Sequence, residues 1–521
     1  MRFDRTAFLA AAGLLILCGG VCAAPPPDTD AYVARAMQGF GVPGLSLAIV
    51  ENGKTVAAKG YGVTDINTKK PLDAHSAIPI GSESKAFTSA ALAILVDRKK
   101  LKWSDLVKDR LPGFQMYDPY MTAHMTVRDL LTHRSGLGLG EGDLMLFPNT
   151  NRSRADIVHA LRYLKPATGF REFYAYDNVL YIVAGALVEA VSGQSWESFV
   201  TENILKPVGM NDTHTSYDKS AANRVSLHGR NSEALQGLGA QSVLGRGEAV
   251  TLAPAGGINA SATDLAKWMN VQLAHGKLPD GKQLFSAEQS EILWTPVVVV
   301  KPEGPRRLAV LKPDMQAYAL GWYVEMYRGH KIVRHTGAVA GALASLYLIP
   351  EENVGVAVTI NSEDGAGMVS VVYHLLDHYL SLPPTDWTAM LQKVQAENFA
   401  KAQKTLKTPA KDEVPATGKA ALPLAACAGT YQDPWYGNVT VREQAPGKLW
   451  ITFDRTPGME GALEPVAGDK FRTRWTDRSI EDAYMNFTTD GGAVKSATMT
   501  AISPLADFSF DYQDLHLSHT R

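Results

Sequence analysis

The sequence predicts a mixed α/β domain, with helices packed on a largely antiparallel sheet, followed by a small all-β domain. Three observations carry this. At 521 residues, 45% hydrophobic and 20% charged, the chain supplies buried material for two domains. β-rich runs open and close a long first region whose middle is apolar at helical spacing. Beyond a polar stretch containing Pro and Lys, the β-rich runs become short and alternate with turn residues.

The elements follow in chain order. Arg2 and Arg5 precede an apolar run over residues 7–17 and then small residues, the layout of a secretory signal peptide. Residues 1–23 are assigned to it, which places the protein in the periplasm or outside the cell. No later run approaches the ~18 apolar residues of a membrane span, so none is expected in the mature chain. Residues 41–62 hold two β-rich runs around Asn52-Gly53, a pair suited to a tight hairpin turn. The Gly53-Lys54-Thr55 triplet is not a phosphate loop, because Ala48 stands where such a loop needs its first glycine. Helical spacing then marks residues 86–96, 179–191 and 265–273, the second stopping at Gly193. Strands return at Leu343 and Val354, on either side of Glu351-Glu352-Asn353. Thr385 is a candidate cap for a helix carrying Trp387, Met390, Leu391 and Val394, after which residues 404–423 read as a linker. The expected domains are residues 28–384 and 421–521, joined by a helix and linker over 385–420.

Charge and cysteine content exclude some functions. Fifty-one basic against 53 acidic residues give a net charge of −2, without the field of a nucleic-acid binder. Of three cysteines, Cys18 and Cys22 lie in the signal region, which leaves Cys427 with no disulfide partner. His374 and His378 stand one helical turn apart but lack the glutamate of a metalloprotease motif, so no metal is assigned. The glycines of residues 136–142 follow no strand and read as a flexible loop near a cleft rather than a nucleotide site.

Three short motifs point to chemistry. Ser82 and Lys85 sit three apart at the start of an apolar helix, so the hydroxyl and amine share one face near free backbone NH groups. A serine hydroxyl becomes nucleophilic when a neighbouring base takes its proton, and a lysine can do that once burial lowers its pKa. Tyr176 and Asn178 lie in a polar turn before the helix at Val179, a phenol for proton relay and an amide able to hold both lysine and substrate. His335, Thr336 and Gly337 precede the Leu343 strand. Each motif alone has a plainer reading: a helix cap with a surface lysine, a turn tyrosine, a turn histidine.

Together and in this order, the motifs resemble those of the penicillin-recognising serine hydrolases, the family of class C β-lactamases, D,D-carboxypeptidases, D-aminopeptidases and related esterases. Ser82 and Lys85 match Ser-x-x-Lys, Tyr176 and Asn178 match Tyr-x-Asn, and His335-Thr336-Gly337 matches the Lys- or His-led third triad. TVRDLLTHRSGL from Thr126, LKPVGMNDT from Leu205 and PAGGINASATDLAKW from Pro254 strengthen the resemblance. It implies a β-lactamase/transpeptidase-like domain and acyl transfer through a serine ester, without metal or organic cofactor. Ser82 would be the nucleophile, Lys85 and Tyr176 a coupled acid-base pair, and the backbone NH groups of Ser82 and Ala338 the oxyanion hole. Asn178, His335, Thr336 and Gly337 would bind substrate. Histidine at 335, where class C β-lactamases carry lysine, favours peptidase or esterase work, and because His-Thr-Gly resembles the third motif of D,D-carboxypeptidases and D-aminopeptidases the expectation is a peptidase acting on short, D-residue-containing or linearised peptides.

A carboxylesterase or weak β-lactamase with the same residues stays open, and so does a non-catalytic periplasmic binding or sensor protein. A retired site, however, has no chemical need for all three motifs. Residues 424–441 and 487–499 resemble the lipocalin-like domain appended to some members, which in those relatives shapes access or mediates assembly. Self-association of this chain is compatible with that. Trp435, Tyr436 and Trp450 there are candidate pocket residues whose plainer reading is core.

Overall fold

The computed structural model describes residues 25–520 except 217–222, 231–236, 246–249, 302–312 and 408–416. The stretch read as a signal peptide and the middle of the stretch read as linker lie outside the described residues. The predicted hairpin forms strands Gly44–Glu51 and Lys54–Gly62. Asn52 and Gly53 turn it with φ of 50° and 76°, the positive pair that such a hairpin needs. Gly44–Glu51 also pairs antiparallel with Val354–Ile360, so the two ends of the first domain meet inside one sheet. From that edge the order is Lys54–Gly62, Gly44–Glu51, Val354–Ile360, Ala342–Ile349, His330–Val339, Tyr323–Tyr327, Met315–Tyr318 and Val298–Val299, antiparallel throughout.

Helices cover both faces, which is why every residue of Gly44–Glu51 is buried. On one face Leu45, Leu47, Ile49, Val356 and Val358 pack with Tyr32, Phe40, Val371 and Leu375 from helices Thr29–Phe40 and Gly365–Tyr379. On the other, Ala48, Val50, Leu346 and Ala357 join Phe87, Ala91 and Trp268 from helices Ser84–Asp97 and Ala262–Leu273. Ser84–Asp97 is buried from Ser84 to Leu95, as a helix apolar all round must be. Helix Val179–Ser192 stops at Gly193, whose φ of 75° gives the left-handed cap.

The helix after the sheet runs Trp387–Lys407, into the start of the stretch read as linker. Its cap is Asp386 rather than Thr385: the carboxylate accepts the Ala389 NH at 3.1 Å, and a charged acceptor suits the positive helix end. Trp387 is fully buried beside Tyr373 and donates its Nε1–H to Asp377 at 2.7 Å, fastening the helix to Gly365–Tyr379. Among the described residues no single helix is long and apolar enough to cross a membrane.

The C-terminal strands are Gly429–Asp433, Gly437–Ala445, Lys448–Phe453, Glu460–Gly468, Lys470–Trp475, Ala483–Asp490, Ala493–Ala501 and His516–Thr520. Each pairs antiparallel with the next and the last with the first, closing an up-and-down barrel without open edges. Tyr431, Val441, Ile451, Phe453, Leu463, Phe471, Met485 and Met499 are buried, so side chains fill the barrel. Trp435 and Tyr436 are buried as well, and half-buried Trp450 donates to Glu460 at 3.2 Å. The predicted fold class, an α/β domain on an antiparallel sheet followed by an all-β domain, is thus the observed one.

Trp387→Ala removes a buried indole and strips Asp377 of a donor, so it should destabilise the first domain by about 3–5 kcal/mol in denaturant unfolding. An unchanged midpoint would mean that this helix is a tether rather than part of the fold.

Candidate active site

The three motifs converge. Ser82 lies in the 3₁₀ turn Gly81–Glu83 that leads into Ser84–Asp97, and Lys85 in the first turn of that helix. The Lys85 ammonium or amine reaches Ser82 Oγ at 3.0 Å, Asn178 Oδ1 at 2.7 Å and the Ala255 carbonyl at 3.0 Å. Beside the last contact, Thr88 Oγ1 donates to the Pro254 carbonyl at 2.7 Å, seating that segment on helix Ser84–Asp97. Lys85 is completely buried, and desolvation lowers its pKa to about 7 against the opposing pull of Asp143 and Asp177.

Tyr176 approaches from the other side. Its hydroxyl is within hydrogen-bonding reach of Ser82, and the Lys85 nitrogen lies 4.8 Å from its ring centroid. Burial holds the phenol well above its ordinary range. Lysine down and tyrosine up leaves a neutral amine and a neutral phenol as the available partners of Ser82 near neutral pH. Buried His133 supports the tyrosine, with ring centroids 4.2 Å apart, and its Nδ1 accepts the Asp177 NH at 3.2 Å. The TVRDLLTHRSGL stretch therefore serves the site through His133.

The third motif occupies strand His330–Val339, whose backbone presses on the Ser82 turn. A Cβ on Gly337 would fall 1.8 Å from the Ile80 carbonyl oxygen and 2.9 Å from Ser82 N. One on Gly81, whose φ is +49°, would fall 2.6 Å from Ala338 N. Only glycines allow this approach, and it brings the amides of Ser82 and Ala338 to one spot. His335 and Thr336 line the same cleft, but both histidine nitrogens are engaged within the protein. Its Nδ1–H donates to the Thr336 carbonyl at 2.7 Å, and Nε2 accepts from Tyr318 OH at 3.0 Å. Burial, helped by the Lys85 charge, drives His335 well below its ordinary pKa, so it is neutral.

Several residues at the site were not identified from the sequence. Asp143 Oδ2 accepts from Asn178 Nδ2 at 2.9 Å, which turns the amide oxygen toward Lys85. Burial raises Asp143 to about 7. The signal available was its place at the end of the glycine-rich residues 136–142. That segment does border the cleft, through Leu139, but it is pinned rather than loose: Glu141 caps the Gly138 NH at 2.6 Å. The cleft measures about 1750 Å³ and carries aromatic walls, with Phe173, Tyr174 and Tyr323 facing Phe508 and Phe510 of the barrel. His374 takes a structural place, stacked on Tyr32 with centroids 3.7 Å apart.

Comparison with known proteins gives the family and the fold. The Beta-lactamase family model matches residues 29–381, and a domain of unknown function, DUF3471, matches residues 413–519. The chain is similar to the unguisins hydrolase of Aspergillus violaceofuscus, 28% identical over 85% of this chain and 82% of that protein. It is also similar to protein flp of Staphylococcus aureus, 27% identical over 64% of this chain and 62% of the relative. Among solved structures, the octameric penicillin-binding protein homologue from Pyrococcus abyssi aligns with a TM-score of 0.58 at 20% identity, covering 91% of this chain and 98% of that one. SurE aligns with a TM-score of 0.52 at 22% identity, covering 95% and 99%.

A lysine cationic below about 7 and neutral above it can accept the Ser82 proton only in the upper range. The rate of covalent labelling of Ser82 should therefore rise with pH through about 7 and level off. A rate still climbing toward pH 10 would show an ordinary lysine.

Proposed function

The chain belongs to the beta-lactamase family, and we propose that within it this protein is an exported serine hydrolase that cleaves peptide amides through an acyl ester on Ser82. The observation that carries the reading is the Lys85 amine, fully buried, 3.0 Å from Ser82 Oγ and lowered to about 7. Neutral Lys85 takes the Ser82 proton as Oγ attacks the substrate carbonyl. Negative charge gathers on the carbonyl oxygen against the NH groups of Ser82 and Ala338. The Tyr176 phenol protonates the departing amine nitrogen and is reprotonated from Lys85, so the C–N bond breaks with the proton count closed. Water then adds to the ester carbonyl, gives its proton to the Lys85–Tyr176 pair, and the acid leaves as Ser82 regains its hydrogen.

Two features favour peptides within this chemistry. Neutral His335, with both nitrogens engaged, offers no fixed cation to the carboxylate of a β-lactam. A cleft of about 1750 Å³ exceeds the ~300–1,000 Å³ typical of small-molecule pockets, and its aromatic walls suit an extended peptide bearing apolar side chains. The N-terminal pattern of Arg2, Arg5 and the apolar run supports export.

Intact-protein mass spectrometry after treatment with a fluorophosphonate should show one adduct, absent in Ser82→Ala. Peptides of several residues should then turn over with a higher kcat/KM than short-chain esters or penicillins. An unlabelled protein would end the nucleophile reading, whereas short esters outpacing every peptide would make it an esterase.

A further inference from the structure

The orientation of Lys85 depends on a chain of contacts that leaves its own domain. A side-chain amide presents either its oxygen or its nitrogen, and only a fixed acceptor behind it decides which. For Asn178 that acceptor is Asp143, at 2.9 Å. Asp143 opens the short turn Asp143–Met145 after Gly140 and Gly142, both at positive φ, a segment with little regular structure to hold it. Its own domain ties the segment ahead of Asp143, through the Gly140 NH on the Tyr176 carbonyl at 2.8 Å and Glu141 on the Gly138 NH, whereas the amides flanking Asp143 are held from the barrel. The Asp511 carboxylate accepts the Gly142 NH at 2.7 Å and the Leu144 NH at 2.8 Å, the two amides on either side of Asp143. Ser509 Oγ donates to Asp143 Oδ2 at 3.3 Å, the oxygen that receives Asn178. Phe508 lies so close that a Cβ on Gly140 would fall 2.5 Å from its ring.

We propose that Asp511, assisted by Ser509, is a positioning residue for acylation: the barrel holds Asp143 against Asn178 and thereby aims Lys85 at Ser82. This rests on the reading of Ser82 as nucleophile. The C-terminal domain is then a working part of the catalytic centre as well as a wall of the cleft. The cost of the arrangement argues for a role beyond adhesion, because Asp511 is 1% exposed and burial beside Asp143 raises its pKa well above the ordinary carboxylate range. Domain contact is already supplied elsewhere: Arg455 pairs with Asp156 at 2.8 Å, and Arg152 donates to the Tyr436 carbonyl.

The test is a double-mutant cycle on the full chain, reading the rate of fluorophosphonate labelling at Ser82. Asp511→Asn keeps the shape but sets an NH₂ against one of the two amides, and should slow labelling by about 10- to 100-fold. Combined with Asp143→Ala it should be no slower than Asp143→Ala alone, since both act through one contact. Ser509→Ala, a milder change in case Asp511→Asn fails to fold, should cost about 2- to 10-fold. Arg455→Ala weakens the same domain interface away from the loop and should leave the rate within about 2-fold. Parent-like labelling in both Asp511→Asn and Ser509→Ala, multiplying effects in the double variant, or an equal loss in Arg455→Ala would overturn the inference while leaving Ser82 as nucleophile. A parent that does not label would instead remove that reading, and this inference with it.

Discussion

Burying a lysine beside a serine is the constraint around which the rest of the site is arranged. A charged amine at full burial is costly, and the protein meets the cost by letting the amine lose its proton near pH 7 rather than near 10.5. Loss of charge makes Lys85 a base, while its contacts with Ser82, Asn178 and the Ala255 carbonyl keep it from turning away. The same desolvation acts in the opposite sense on Tyr176 and keeps it a phenol. One physical cause, exclusion of water, thus divides the labour between two groups whose ordinary pKa values, 10.5 and 10.0, nearly coincide.

The architecture serves that arrangement. An apolar helix places Ser82 and Lys85 at the centre of the domain, and a sheet joined by both of its ends gives strand His330–Val339 a fixed position. Gly81 and Gly337 let that strand approach until two amides meet beside Ser82. Behind the lysine the support runs through Asn178 and Asp143 to Asp511, across a domain boundary. The closed barrel needs no ligand to complete it, being filled by residues such as Tyr431, Phe453 and Phe471. Its contribution lies on its rim, where Phe508, Ser509 and Asp511 meet the catalytic domain.

What the sequence made legible follows interaction range. Ser82 and Lys85 are three residues apart, and helical geometry alone makes them meet. The hairpin at Asn52-Gly53, the cap at Gly193 and the alternation of the C-terminal strands are likewise local signals. Asp143 and Asp511 carried no such mark: a lone aspartate after glycines reads as a turn, and only folding brings the two segments together. Threonine caps helices, which makes Thr385 the candidate in the sequence, yet the neighbouring carboxylate of Asp386 takes the Ala389 NH at that end. The helix runs on to Lys407, past Lys404, where the polar composition reads as linker.

The central claim is that burial, rather than a neighbouring charge, leaves Lys85 a neutral amine able to accept a proton near pH 7. Its most direct test is an NMR titration of protein labelled at lysine Cε, between about pH 5 and pH 11, with the Lys85 signal assigned by its loss in Lys85→Met. The account predicts one lysine with a midpoint near 7, apart from all others. A Lys85 signal titrating at the ordinary 10.5 would contradict it, because a cationic amine at neutral pH cannot take the Ser82 proton.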